Sequence, residues 1–228
     1  MTSKITDQTR NKVSAPVILG LLLCLVAPLV LGFIVTPLVK IPMVTNELVM
    51  WGLDFVVIAI VLFWERRPLS SIGFRGLTWK DGLLVLLLGA LLFVLAPILS
   101  ILVARVTGGS SNAVTVLSDL AKQSLFFRIL MALRAAVTEE MLFRAYPIER
   151  MKNLTGNVWI GAIISLVIFS ILHLSGWGWV HVIVVIIPGL ILTFLYIWKR
   201  NLILNILVHF FPDFVFVLIA PFIPPPPL

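Results

Sequence analysis

In a mostly apolar chain, eight ionisable side chains stand inside hydrophobic stretches: Asp54, Arg134, Glu139, Glu140, Arg144, His173, His209 and Asp213. A charge placed there costs about 2.5–3.5 kcal/mol on insertion scales, so each marks either function or a paired interior. Three spacings organise most of them. Glu140 and Arg144 are four residues apart in the favourable acid-before-base order and share one helix face. Adjacent helical residues point about 100° apart, so Glu139 looks elsewhere and has no partner on its own helix. An unpaired acid in an apolar setting is a candidate general base. Phe169 stands four residues before His173, so its ring can pack against the imidazole. His209 and Asp213 share a face in the same way, and Pro212 between them frees the Val208 carbonyl. Broken helices of that kind line cavities in membranes.

Imidazoles and carboxylates on three segments suit two chemistries. One is hydrolysis by a water that a carboxylate activates. The other is a zinc site with an open position, for which the ligands would be Glu139, His173 and His209. No His-Glu-x-x-His helix is present, and no Gly-x-Ser-x-Gly elbow supports a serine nucleophile beside Ser170. Asp54 and Asp213 would form an aspartyl pair only if distant spans met, and Asp54 is expected to be structural. His181, beside Trp177 and Trp179, is expected at an interface and apart from the other histidines. The same buried groups could also serve a proton-coupled transporter or a silent scaffold. The transporter lacks the inverted repeat that such folds show.

The elements that must position these groups are membrane helices. Of 228 residues, 61% are hydrophobic and 12% charged, against roughly 45–50% and about 25% in soluble globular chains. A soluble surface cannot be built from so few charges. The net charge of +7 is spread over short separate clusters, which excludes disorder and nucleic-acid binding. Cys24 is the only cysteine, so no intrachain disulfide and no cysteine zinc ribbon can form.

Helices of about 20 apolar residues cross a bilayer. Such stretches are read at Val13–Val35, Leu48–Trp64, Gly82–Ala104, Val158–Leu174, Val180–Trp198 and Asn201–Phe222. The charged segment Ser118–Tyr146 is added to make about seven. The fold class is therefore an all-α polytopic membrane protein with the active site inside the helical bundle. Three N-terminal spans (1–117) would precede a catalytic core (118–222) and a Pro-rich tail (223–228). Inside segments would carry Lys4, Arg10, Lys12, Arg66, Arg67, Arg75, Lys80, Arg150, Lys152, Lys199 and Arg200. Outside segments would carry only Lys40, Arg105 and Lys122. Eleven against three places the N-terminus in the cytoplasm. The expected setting is a bacterial cytoplasmic membrane, with the bilayer and a peptide or lipidated protein substrate as partners.

Taken together, Glu-Glu-x-x-x-Arg, Phe-x-x-x-His and His-x-x-x-Asp, in that order on three spans, resemble the CPBP family of intramembrane proteases. These are the CAAX-prenyl-protease-like and bacteriocin-processing (Abi) proteins. The resemblance covers roughly Phe126 to Asp213. It implies an endopeptidase in which Glu139 takes a proton from water and His173 helps hold that water. His209 and Asp213 would lie on the carbonyl side, with Glu140, Arg144 and Phe169 in support. Pro188-Gly189 falls where the family often has a glycine-containing helix. The family's last position is most often Asn, and an ionised Asp213 can only accept hydrogen bonds. The resemblance favours no metal, with zinc the alternative.

Depth is hard to reconcile on these boundaries. With a helix end at Tyr146, Glu139 lies about 10 Å from the cytoplasmic end of its helix, and His173 about 22 Å deep in the next. Either the fourth helix is longer or tilted, or the fifth begins outside the membrane.

Overall fold

In the computed structural model, which describes residues 14–39, 41–109 and 112–223, every regular element is a helix. α1 is Ala15–Leu38, α2 Met43–Trp64 and α3 Trp79–Thr107. A short α4, Ala113–Ala121, follows. α5 begins as Leu125–Glu140, passes through a π-helical turn at Met141–Ala145 and continues as Tyr146–Thr155. α6 is Val158–Trp177, α7 Trp179–Lys199 and α8 Leu202–Phe222. The basic residues Lys4, Arg10, Lys12 and Lys40, and the tail prolines Pro224–Pro227, lie outside the described residues.

Among the described residues, six helices (α1–α3 and α6–α8) are long and apolar enough to cross a membrane. This is an integral, multi-pass membrane protein. The expected seventh span, Ser118–Tyr146, is broken at residues 122–124 between α4 and α5, and α5 is not among the six. Its charges are solvated by protein rather than lipid, since Glu140 through Arg150 are all buried. α3 is the opposite case. Only 11% of its apolar window is buried, and side chains such as Leu87, Val94 and Leu102 face outward, where lipid serves as their solvent.

Local chemistry sets the helix ends. Thr78 and Asp81 form a capping box at the start of α3. Asn157 accepts from the Trp159 amide at 2.9 Å, and Asn201 from the Leu204 amide at 3.1 Å. Gly156 closes α5 at φ +75°, a conformation that costs a Cβ-bearing residue energy.

One end of the bundle is clasped by polar groups. Arg150 reaches Glu65 at 2.7 Å and the Ser71 hydroxyl at 3.0 Å, while the Tyr146 hydroxyl donates to Glu65 at 2.6 Å. Arg200 pairs with Glu149, Lys199 with Asp81 at 3.1 Å, and the Leu202 amide with the Gly73 carbonyl at 2.7 Å. This is the end that charge asymmetry assigns to the cytoplasm.

Two boundaries differ from the sequence reading. α5 does not stop at Tyr146. Pro147, which cannot donate to a preceding carbonyl, is accommodated because the π-turn before it shifts the bonding pattern, with the Tyr146 amide reaching Met141. Glu139 is then sixteen residues from the end at Thr155, about 24 Å, and matches the roughly 22 Å of His173 above Val158. The Glu149–Arg200 pair levels α8 by the same arithmetic: each lies about 14–15 Å from Glu139 or His209 along its own helix. The longer helix resolves the depth conflict. α2, likewise, starts at Met43 rather than Leu48, so Asp54 sits mid-helix instead of near an outer end.

Candidate active site

The fold forms a cavity of about 750 Å³ lined by α3, α4, α5, α6, α7 and α8, with Met43 from the start of α2. Its walls are mostly apolar, with Leu92, Met131 and Val184 among them. Its ionisable lining is Asp119, Arg134, Glu139, His173, His181, His209 and Asp213.

Glu140 organises the surroundings without entering the cavity. It is fully buried and accepts from Arg144 Nη1 at 2.9 Å, Asn205 Nδ2 at 2.7 Å and His209 Nδ1 at 2.7 Å. A carboxylate can only accept, so the His209 proton lies on Nδ1 in this contact. The Arg144 guanidinium lies over the Phe169 ring, 4.1 Å from its centroid, so the ring face supports the part of the cation that Glu140 leaves unpaired. Gly189 makes that stack possible. A Cβ there would come within 2.7 Å of Leu166 Cδ1, 3.3 Å of Phe169 Cε1 and 3.5 Å of Arg144 Nη2.

With Nδ1 tied down, His209 turns Nε2 toward the cavity. It lies 3.7 Å from Glu139 Oε2 and 3.6 Å from Asp213 Oδ2. Glu139 keeps 22% of its side-chain surface accessible, whereas Glu140 keeps none. The two adjacent acids thus occupy different environments, one walled in by donors and the other open to the cavity.

His173 lines the cavity from α6. Its Nδ1 bonds the Phe169 carbonyl at 2.8 Å and its ring meets Phe169 edge-on, with 4.7 Å between centroids. The Nδ1 proton therefore goes to the carbonyl, which leaves Nε2 as an acceptor. Its second ring neighbour is His181, 5.6 Å away, which stacks on Trp177 at 4.6 Å. His181 thus lines the same cavity, against the expectation that it would sit apart. The Gly178 break between α6 and α7 folds the start of α7 back over the end of α6, a proximity no spacing rule within one helix could show.

α2 braces the face of α5 beside Glu139. The Thr138 hydroxyl donates to Asp54 at 2.7 Å, and Arg134 grips Glu47 through Nε at 2.8 Å and Nη2 at 2.9 Å. Asp54 accordingly holds helices together, as its reading as a structural residue expected. Asn205 was not singled out in the sequence. The signal was present: Asn205, His209 and Asp213 form a ladder at four-residue spacing on one face of α8.

Among the described residues, no three His, Cys, Asp or Glu side chains are grouped to hold a metal ion. Nδ1 of His209 and Nδ1 of His173 are both bonded to protein acceptors, as in metal-ligating imidazoles, so a zinc ion would be held by Nε2 of each together with Glu139.

Residues 121–215 match the Rce1-like family model, described as type II CAAX prenyl endopeptidase Rce1-like. That segment is similar to the Rce1-like family. It contains every candidate site residue, from Glu139 to Asp213, together with Asn205 and His181. No curated protein and no solved structure matches the chain. The matched segment supplies α5, α6, α7 and most of α8, four of the cavity walls, while α3 and α4 close the cavity from outside the matched region.

Proposed function

We propose that the protein is an intramembrane endopeptidase that cuts a membrane-associated or prenylated, CAAX-type peptide with a water activated by Glu139. The observation that carries this reading is the division of labour between neighbours. Glu140 is saturated by Arg144, Asn205 and His209, and of the two adjacent glutamates only Glu139 is left open to the cavity beside His209.

The chemistry follows from that arrangement. A water held between Glu139 and the accepting Nε2 of His173 loses a proton to the carboxylate as its oxygen attacks the scissile carbonyl carbon. The carbonyl double bond opens and its electron pair moves onto oxygen. His209, doubly protonated, offers Nε2–H to that oxyanion, and Glu140 on the opposite nitrogen keeps the ring oriented. Glu139 then returns its proton to the departing amine nitrogen as the C–N bond breaks. Asp213 contributes negative charge beside Nε2, where the related family more often has a neutral Asn. The cavity's apolar walls suit a lipidated or hydrophobic peptide and keep bulk water from the intermediate.

The test is cleavage of a prenylated CAAX peptide by the detergent-purified protein, with and without a chelator. Cleavage that persists in chelator and disappears in Glu139→Ala is the expected result. Loss of cleavage in chelator, restored by zinc, would point to the metal alternative. Undiminished cleavage by Glu139→Ala would end the proposal.

A further inference from the structure

The cavity has a floor and a mouth, and they lie toward opposite ends of the bundle. We propose that the mouth opens on the outer, non-cytoplasmic face, and that the substrate is an apolar peptide segment anchored in the outer leaflet. This rests on reading the cavity as a peptide-hydrolysing site and adds the side from which the peptide comes.

The floor is closed. On the clasp side of Glu139 and His209, the side chains of Glu140, Arg144, Tyr146, Tyr196, Leu204 and Asn205 have no exposed surface. No residue of α5 after Glu139, of α6 before Phe169, of α7 after Leu192 or of α8 before His209 lines the cavity. The lining runs the other way, to Trp177 at the end of α6, to Val217 in α8 and to Ile223 just beyond it. His173 is about 22 Å from the clasp end of α6 but only about 6 Å from its other end at Trp177.

α4 forms part of the rim at that other end. The Asn112 amide donates to the Trp177 carbonyl at 3.1 Å and ties the start of α4 to the end of α6. Val116, Leu117 and Leu120 of α4 line the cavity and are partly buried. Asp119 also lines it, and pairs with Lys122 at 2.6 Å, with more than half of each side chain exposed. Charges so exposed belong in water and not in hydrocarbon. The mouth therefore meets an aqueous boundary of the bilayer.

Which boundary this is follows from the loop charges. Arg66, Arg67, Arg75 and Lys80 lie between α2 and α3, and Arg150, Lys152, Lys199 and Arg200 at the ends of α5 and α7, all at the clasp end. At the mouth end, Arg105 and Lys122 are the basic residues nearest the connections among the described residues. Arg128 and Arg134 of α5 are turned inward, bonded to the Val217 carbonyl and to Glu47. Basic loops stay in the cytoplasm. A lipidated tail arriving from the cytoplasm meets the sealed clasp, whereas an apolar segment in the outer leaflet meets the open end and the apolar walls behind it.

The test uses the full chain in a Cys24→Ser background, in right-side-out and inside-out vesicles made from the same bacterial cells. Ser100→Cys on α3 and Val114→Cys on α4 each put one thiol in the cavity wall, and Ser70→Cys marks the clasp end. The probe is a quaternary-ammonium methanethiosulfonate. Both cavity thiols should react at least about 10-fold faster in right-side-out vesicles, because a fixed charge does not cross the hydrocarbon layer. The position-70 thiol should show the opposite preference. Equal rates, faster reaction in inside-out vesicles, or no reaction of the cavity thiols from either side overturns the proposal. So does reaction of positions 70 and 100 from the same side. If one cavity variant fails to fold, the other decides. A second measurement adds an apolar peptide, tethered to a hydrophilic polymer too large to cross, to vesicles of the wild-type chain. Right-side-out vesicles should cleave it, and inside-out vesicles only after detergent is added. Cleavage by intact inside-out vesicles overturns the outer-face substrate and leaves the peptidase standing. No cleavage even in detergent overturns the substrate and the peptidase together, while outward labelling would still locate the mouth.

Discussion

His209 is held by Glu140 and not by the glutamate beside it: Nδ1 lies 2.7 Å from Glu140 Oε1, while Nε2 stands 3.7 Å from Glu139. One imidazole thereby joins two adjacent acids that a helix points in different directions. Glu140 sets the ring's orientation, and Glu139 meets its free side. The predictions below follow from that asymmetry and from the residues that support it.

Glu139→Gln keeps the side chain's size and removes the basic oxygen. Turnover of the CAAX peptide should fall at least about 10²-fold, with a melting temperature in detergent close to that of the wild type, because among the described residues Glu139 carries no helix-to-helix hydrogen bond, its contact with His209 being 3.7 Å long. A stable Glu139→Gln variant with normal turnover would reverse the two roles.

Glu140→Gln strands Arg144, which is fully buried and has no other acidic partner in hydrogen-bond range among the described residues. A buried charge left alone costs about 3–5 kcal/mol. The variant should melt markedly earlier in detergent. Adding Arg144→Met should recover part of the loss, and only part, since Asn205 and His209 have also lost an acceptor.

Asn205→Ala removes the donor that spans Glu140 at 2.7 Å and the Leu192 carbonyl at 2.9 Å. The loss should cost about 1–3 kcal/mol of stability and lower turnover through a less fixed Glu140. Thermal melts and cleavage rates read the two effects separately. A wild-type melt with wild-type turnover would mean that Arg144 and His209 hold Glu140 without help.

Gly189→Ala places a methyl 2.7 Å from Leu166 and against the Phe169–Arg144 stack. Overpacking of this kind costs about 1–3 kcal/mol. Leu166→Ala should relieve much of it, whereas Leu166→Ala alone should not improve the wild type.

Orientation is testable without any activity. Ser70 is exposed in the short helix between α2 and α3, and the only native cysteine, Cys24, is 0% exposed. A cysteine at position 70 should react with an impermeant thiol reagent only from the cytoplasmic side. Labelling from the outside would invert the bundle and the clasped end with it.

What the sequence determined by itself was the solvent, the helices and the chemical inventory. Apolar runs near 20 residues leave a chain no option but to satisfy its backbone internally within lipid. Glu140–Arg144, Phe169–His173 and His209–Asp213 were legible because a helix converts a spacing of four into a shared face. Tertiary structure decided everything that depends on contacts between helices. The partner that ties Glu140 to His209 comes from a segment 69 residues away, and no periodicity within α5 or α8 records it. The end of α5 was misread because a proline normally stops a helix, and only the π-turn at Met141–Ala145, packed against α6, lets it run on to Thr155. His181 was read as an interface residue because local sequence shows only its two tryptophans. The turn at Gly178 brings its ring beside His173, and that turn's direction is set by how α6 and α7 pack together. No partner for Arg134 lies at helical spacing on its own segment. Glu47, on a helix that no motif connects to Arg134, is what pins its guanidinium.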